Sequence, residues 1–168
     1  TTNVYIKTYD YPTPGDRRRG FGRTTWLARS RAHAEWAALE WFENQGLEGA
    51  RGLLVAERRR FGVLRRAVLV TEAWRGRPAN EALAAMSRAD GDELVAAIRA
   101  KVAEWHARGF RDRNLDLRNL LVRRLDGVWS VVKIDSPRWR LRSGGAPTDR
   151  LARSDRARLD ADLATIGY

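Results

Sequence analysis

Residues 106–122 constrain the fold more than any other stretch. They read His106-Ala-Arg-Gly109-Phe-Arg-Asp112-Arg-Asn114-Leu-Asp116-Leu-Arg-Asn119-Leu-Leu-Val122, passing from the end of a helical pattern through a polar run into a short apolar strand. Gly109 stops the helix, and from Phe110 to Arg118 the apolar residues keep neither a helical nor a strand period. That segment reads as an irregular polar loop. A hairpin follows, Asn119-Leu120-Leu121-Val122 and Trp129-Ser130-Val131-Val132-Lys133-Ile134, with Asp126-Gly127 as its turn. Asp135 leaves the second strand 16 residues after Asn119 and is followed by Ser136-Pro137.

The rest of the chain places this loop in a particular order of elements. Val4 to Tyr9 alternates with period two and ends at Pro12, Pro14 and Gly15, so a strand and a loop are expected. A helix should run from an N-cap at Ser30 through Ala32, Trp36, Leu39 and Phe42 to Gly46. Leu53 to Glu57 and Arg66 to Glu72 read as an antiparallel pair across an arginine-rich turn containing Gly62. After Gly76 and Pro78 the composition turns to Ala, Leu and Glu. Helices are expected near Asn80 to Met86 and, past a turn at Asp90-Gly91, from Asp92 to Arg108. A basic loop with Gly144-Gly145 and Pro147 precedes a last helix, about Ser154 to Ala164, with Leu159 and Leu163 on one face. The reading is α+β and two-lobed, with a sheet-bearing part over 1–75 and a mostly helical part over 76–168 flanking a cleft.

Composition narrows the chemistry. The chain has 168 residues, no cysteine and two histidines, His33 and His106, so no thiolate and only two imidazoles are available, and a structural zinc site is not expected. No stretch approaches the roughly 20 apolar residues of a membrane span, and no leader pattern opens the chain, so a cytoplasmic protein is expected. The first residue is Thr1 rather than Met, which reads as a fragment with something upstream. A formal charge of +11 favours an anionic partner. Arginine supplies most of it, in runs such as Arg17-Arg18-Arg19 and Arg58-Arg59-Arg60, and either run could equally be a solvated face. Nucleic-acid binding through the seven tryptophans is the weaker reading, because most sit in helix or strand patterns that suit core packing.

Phosphoryl transfer needs a lysine on the nucleotide phosphates, a glutamate to hold it, a loop acid beside the acceptor, and metal-binding Asn and Asp. Val4-Tyr5-Ile6-Lys7 resembles the Val-Ala-Ile-Lys strand of protein kinases. Glu35 lies between Ala34 and Trp36 in the next helix, where a buried carboxylate needs a partner, and Lys7 is the natural one. Glu40, on another face, is the rival. The loop resembles the kinase catalytic loop. Anchored on Asn119, it puts Asp112, Arg113 and Asn114 at the His-Arg-Asp positions, so the catalytic aspartate has become Asn114. Asp135 stands where the metal-binding aspartate is expected.

Together these motifs resemble the lipopolysaccharide Kdo/heptose kinase family, within the protein-kinase-like superfamily. The resemblance implies ATP and magnesium as cofactors, with Lys7, Glu35 and the hinge at Glu72 around the nucleotide and Asn119 and Asp135 on the metal. It also implies an anionic phosphosugar or glycolipid acceptor and a possible peripheral place at the inner membrane. Two departures bear on turnover. No glycine-rich hairpin precedes Lys7, so the first lobe reads as truncated, and Gly20-Phe21-Gly22 reads as a loop near the glutamate helix. Asn114 cannot accept a proton as a carboxylate does, which leaves Asp116, and more distantly Asp112, as substitutes. The alternative is a pseudokinase or scaffold that keeps the fold and nucleotide affinity without turnover.

Overall fold

In the computed structural model the described residues are 3–13, 15–16, 28–142 and 149–168. Gly20-Phe21-Gly22, the Arg17-Arg18-Arg19 run, Pro14 and the Gly144-Gly145-Pro147 loop lie outside them. The chain divides into two compact units, Thr1–Trp74 and Arg75–Tyr168.

In the first unit, alternation of β-branched and aromatic residues yields β1 (Val4–Asp10), β2 (Gly52–Arg60) and β3 (Val63–Glu72), an antiparallel sheet of order β1-β3-β2. The arginines expected in the turn belong instead to the end of β2, and the turn itself is Phe61-Gly62, both with positive φ. Helix α1 (Arg31–Asn44) begins where Ser30 Oγ accepts the His33 amide at 3.1 Å. It stops before Gly46, at φ 64°. Ala32 of α1 packs on Leu64, Ala67 and Leu69 of β3, with Tyr9, Trp36 and Leu39 alongside. Lys7 is paired with Leu69, so the ladder turns both to the face that α1 covers. At Gly52 a Cβ would come within 2.7 Å of the Trp36 ring, so a side chain there would push the strand off the helix.

The second unit comprises β4 (Arg77–Pro78), α2 (Ala79–Ala84), α3 (Arg88–Ala107), β5 (Phe110–Asp112), β6 (Leu120–Leu125), β7 (Val128–Lys133), β8 (Trp139–Leu141) and α4 (Arg150–Thr165). Its sheets have the orders β4-β6-β7 and β5-β8. Leu94, Ile98 and Trp105 of α3 and Leu159 and Leu163 of α4 are fully buried, each aliphatic side chain contributing about 1.5–3 kcal/mol on burial. Asp126 and Gly127, at φ 50° and 79°, make the expected β6–β7 turn.

Three expectations are corrected here. Asp90-Gly91 is no turn: Ser87 caps α3, its Oγ accepting the Asp90 amide at 3.2 Å, and the helix runs through Gly91. That glycine is used for contact, since a Cβ there would collide with the Tyr168 ring. The segment after Gly109 is not wholly irregular, because Phe110–Asp112 pairs with Trp139–Leu141, and the Phe110 and Trp139 rings stack at 5.6 Å. The last helix starts four residues earlier than expected, at Arg150, because Asp149 caps it by accepting the Leu151 amide at 2.8 Å.

Candidate functional site

The first unit supplies one set of predicted residues. Glu35 is 4% exposed on α1, and Lys7 Nζ reaches its two carboxylate oxygens at 3.1 and 3.0 Å. Tyr9 Oη donates to the same carboxylate. The alternation of β1 explains this, since Lys7 and Tyr9 share the face toward α1. Glu40 is exposed and takes no part. Glu72 closes β3; its side chain lies 3.9 Å from Arg51 and is 39% exposed. Its amide donates to Arg51 O at 2.9 Å.

The second unit supplies the rest. Asn114, at the position where an aspartate is expected, donates through Nδ2 to the carbonyl and to the Oδ2 of Asp135, both at 2.9 Å. Its own carbonyl accepts from Asn119 Nδ2 at 3.1 Å. Asn114, Asn119 and Asp135 are thus one hydrogen-bonded group. Asp135 is a non-glycine residue at φ 56°, an uncommon conformation held here by these contacts. The Ile134 amide adds a further tie, donating to Asn119 O at 2.9 Å.

The two loop aspartates stand elsewhere. Asp112 is 1% exposed, with Lys133 Nζ 3.0 Å from its Oδ2 and the Asn114 amide donating to its Oδ1 at 3.0 Å. It is a buried counter-ion beneath the loop. Asp116 is 6% exposed, flanked by Arg158 at 3.1 Å and Arg118 at 3.5 Å. Both carboxylates are held by cations.

Helix α4 carries residues that the sequence reading passed over. Asp155 Oδ2 accepts the Asp112 amide at 2.9 Å and lies 3.3 Å from His106 Nε2. Arg158 holds Asp116, and Asp162 accepts the Leu117 amide at 2.9 Å. Spacings of three and four put these side chains on one face of the helix, so α4 grips the loop at three points. At the helix start, Arg111 donates to Asp149 Oδ2 at 2.8 Å. Partial burial pushes the Asp149 carboxyl up, but the Leu151 amide and Arg111 outweigh it and hold the group below its ordinary value.

Comparisons with known proteins bear on the family and the fold. The profile of the lipopolysaccharide kinase (Kdo/WaaP) family matches residues 19–166. The chain belongs to that family. No curated protein sequence matches it significantly. Among solved structures it is similar to WaaP in complex with acyl carrier protein, at TM-score 0.67 and 19% identity over 98% of this chain and 64% of that one. It is also similar to the Rio2 kinase of Chaetomium thermophilum, solved as an ADP/Mg2+-phosphoaspartate complex, at TM-score 0.58 and 17% identity over 94% and 44% of the two chains. The fold of this lipopolysaccharide kinase relative is therefore mixed α/β and protein-kinase-like, and the chain spans less than two thirds of either solved protein. Among the described residues no helix is long and apolar enough to cross a membrane. Nor does any group of three or more His, Asp or Glu stand ready to hold a metal by itself.

Proposed function

We infer that this family member is an ATP-dependent phosphotransferase acting on a hydroxyl of an anionic glycolipid such as a lipopolysaccharide core sugar. Two observations carry the reading, the Asn114–Asn119–Asp135 group in the second unit and a lysine–glutamate pair of the kinase kind in the first. In this reading Lys7 neutralises nucleotide phosphate, Glu35 and Tyr9 keep its ammonium in place, and the backbone near Glu72 meets the base.

Asn119 and Asp135 offer oxygen donors only, the set that magnesium takes when phosphate and water complete its octahedron. Among the described residues Asn119 Nδ2 is used by the Asn114 carbonyl and its Oδ1 accepts no hydrogen bond, which suits a ligand role. Magnesium, when bound there, neutralises charge on the phosphates. Asn114 fixes the Asp135 carboxylate and orients the acceptor hydroxyl by hydrogen bonding, without taking its proton. Asp116 and Asp112, each tied to a cation, shape the loop. Catalysis then rests on positioning and charge neutralisation, which carry most of phosphoryl transfer.

The arginine-rich surface, part of a net +11, draws the anionic acceptor and the inner membrane face. Transfer of labelled γ-phosphate from ATP to a deacylated core oligosaccharide tests the reading. Asn119→Ala and Asp135→Ala should abolish it and Asp116→Asn should leave most of it. Transfer that survives Asp135→Ala refutes the assignment. A second reading, nucleotide binding without turnover, is favoured by one observation, that a neutral amide replaces the loop acid at Asn114; ATP binding with no transfer to any core sugar selects it.

A further inference from the structure

The arginine run at the end of β2 is not among the residues assigned above to nucleotide, metal or acceptor hydroxyl. Arg58, Arg59 and Arg60, with Arg65 and Arg66 of β3, line a recess of about 840 Å³ closed by Asp10, Tyr11 and Pro12. It lies at the end of the sheet where Asp10 pairs with Arg66, whereas Val4 and Glu72 mark the other end. Lys7 is three residues up β1 from Asp10, about 10 Å away.

Among the described residues that line this recess are five arginines and one carboxylate, and that carboxylate is taken, since Arg66 Nε sits 2.5 Å from Asp10. Arg59 is satisfied as well, by Glu57 at 2.7 Å and the carbonyls of Gly62 and Ala28 at 3.2 Å. Arg58 and Arg65 have no acceptor among the described residues, and Arg65 Nε is buried without a hydrogen bond. Arg58 also stands directly across from Arg66, whose charge Asp10 offsets from the other side, so an anion beside Arg58 would ease the remaining like-charge contact.

A solvated basic face would leave every guanidinium N–H to water. A buried N–H with no acceptor calls for an explanation, and at the wall of a recess with excess positive charge an oxyanion would supply the missing acceptor. The guanidinium fork matches phosphate with two parallel hydrogen bonds. The geometry points to a second anion site, in which Arg58 and Arg65 bind a phosphate-bearing ligand apart from the lysine–glutamate pair. Its phosphate belongs to a soluble phosphate ester or to a phospholipid headgroup.

Calorimetric titration of the full chain with inorganic pyrophosphate, without magnesium and in a Lys7→Ala background, measures the site separately from the nucleotide position. Sedimentation with phosphatidylcholine vesicles, with and without phosphatidylglycerol, measures the lipid source. Saturable one-to-one binding is expected in one of the two assays. Arg58→Gln with Arg65→Gln should weaken it at least tenfold, while Arg124→Gln in the second unit leaves it unchanged. Loss in the titration assigns a soluble ester, and loss in sedimentation alone assigns a headgroup. Where the double variant melts early, Arg58→Gln alone carries the test, because Arg58 is exposed and makes no side-chain hydrogen bond or ion pair among the described residues. Variants that fold and bind both probes as the parent does overturn the proposal.

Discussion

At the residue scale, Asn114 explains more than its loss of acidity suggests. An aspartate there would set two carboxylates at the 2.9 Å separation now bridged by an amide N–H and the Asp135 Oδ2. Like charges so close cannot both ionise without a cation. Asn114→Asp should therefore destabilise the metal-free protein by about 1–3 kcal/mol in urea melts, with magnesium restoring part of the loss. Equal stability with and without magnesium would show that the amide is not needed. The lysine–glutamate pair gives a second prediction. Lys7 is 28% exposed and Glu35 5%, so the pair is screened on one side only. A Lys7→Met/Glu35→Gln double-mutant cycle should return a coupling of about 1–2 kcal/mol. Near-zero coupling would make it a surface contact. Glu35 could be singled out from sequence because its neighbours in the helix are apolar. The use of Asp112 and Asp116 could not, because loop spacing alone does not say which carboxylate meets Lys133, which meets Arg158 and which position faces Asp135.

At the scale of elements, α4 shapes the loop. Asp155→Ala leaves the Asp112 amide and His106 without their acceptor in a buried place, and should cost about 2–4 kcal/mol. Asp162→Ala, which frees only the Leu117 amide, should cost about 1 kcal/mol. Hydrogen exchange at the two amides separates the cases: each variant should speed exchange at its own amide first. Asp149 adds a pH dependence. Its folded carboxyl titrates below the ordinary carboxylate value of about 3.9. Its contribution is therefore complete above that value and is lost as pH falls through the lower, folded pKa. The difference in Tm between the parent and Asp149→Asn should stay flat from pH 7 to 5 and close below 4; a gap that widens in acid contradicts the sign. The long elements were readable from periodicity and caps, as at Ser30 and Asp126-Gly127. The three-residue strands β5 and β8 were not, since three positions show no period and arginine interrupts both. The face Asp155, Arg158 and Asp162 did carry a signal in its helical spacing, but its partners lie about 40 residues away and mostly on the backbone.

At the scale of the whole molecule, each unit holds part of the proposed site. Lys7 and Glu35 belong to the first, Asn114, Asn119 and Asp135 to the second. The order of these motifs along the chain was readable from sequence; the family match spans residues 19–166 and so does not include Lys7. A ligand shared by two units would be a three-dimensional relation that no local pattern encodes. The proposed function requires that a single nucleotide be bound by both. Calorimetric titration with ATP and magnesium measures this directly. One-to-one binding that depends on magnesium is predicted, weakened at least tenfold by Lys7→Ala in one unit and by Asp135→Ala in the other. Folded variants of which either binds magnesium and ATP as the parent does would contradict it.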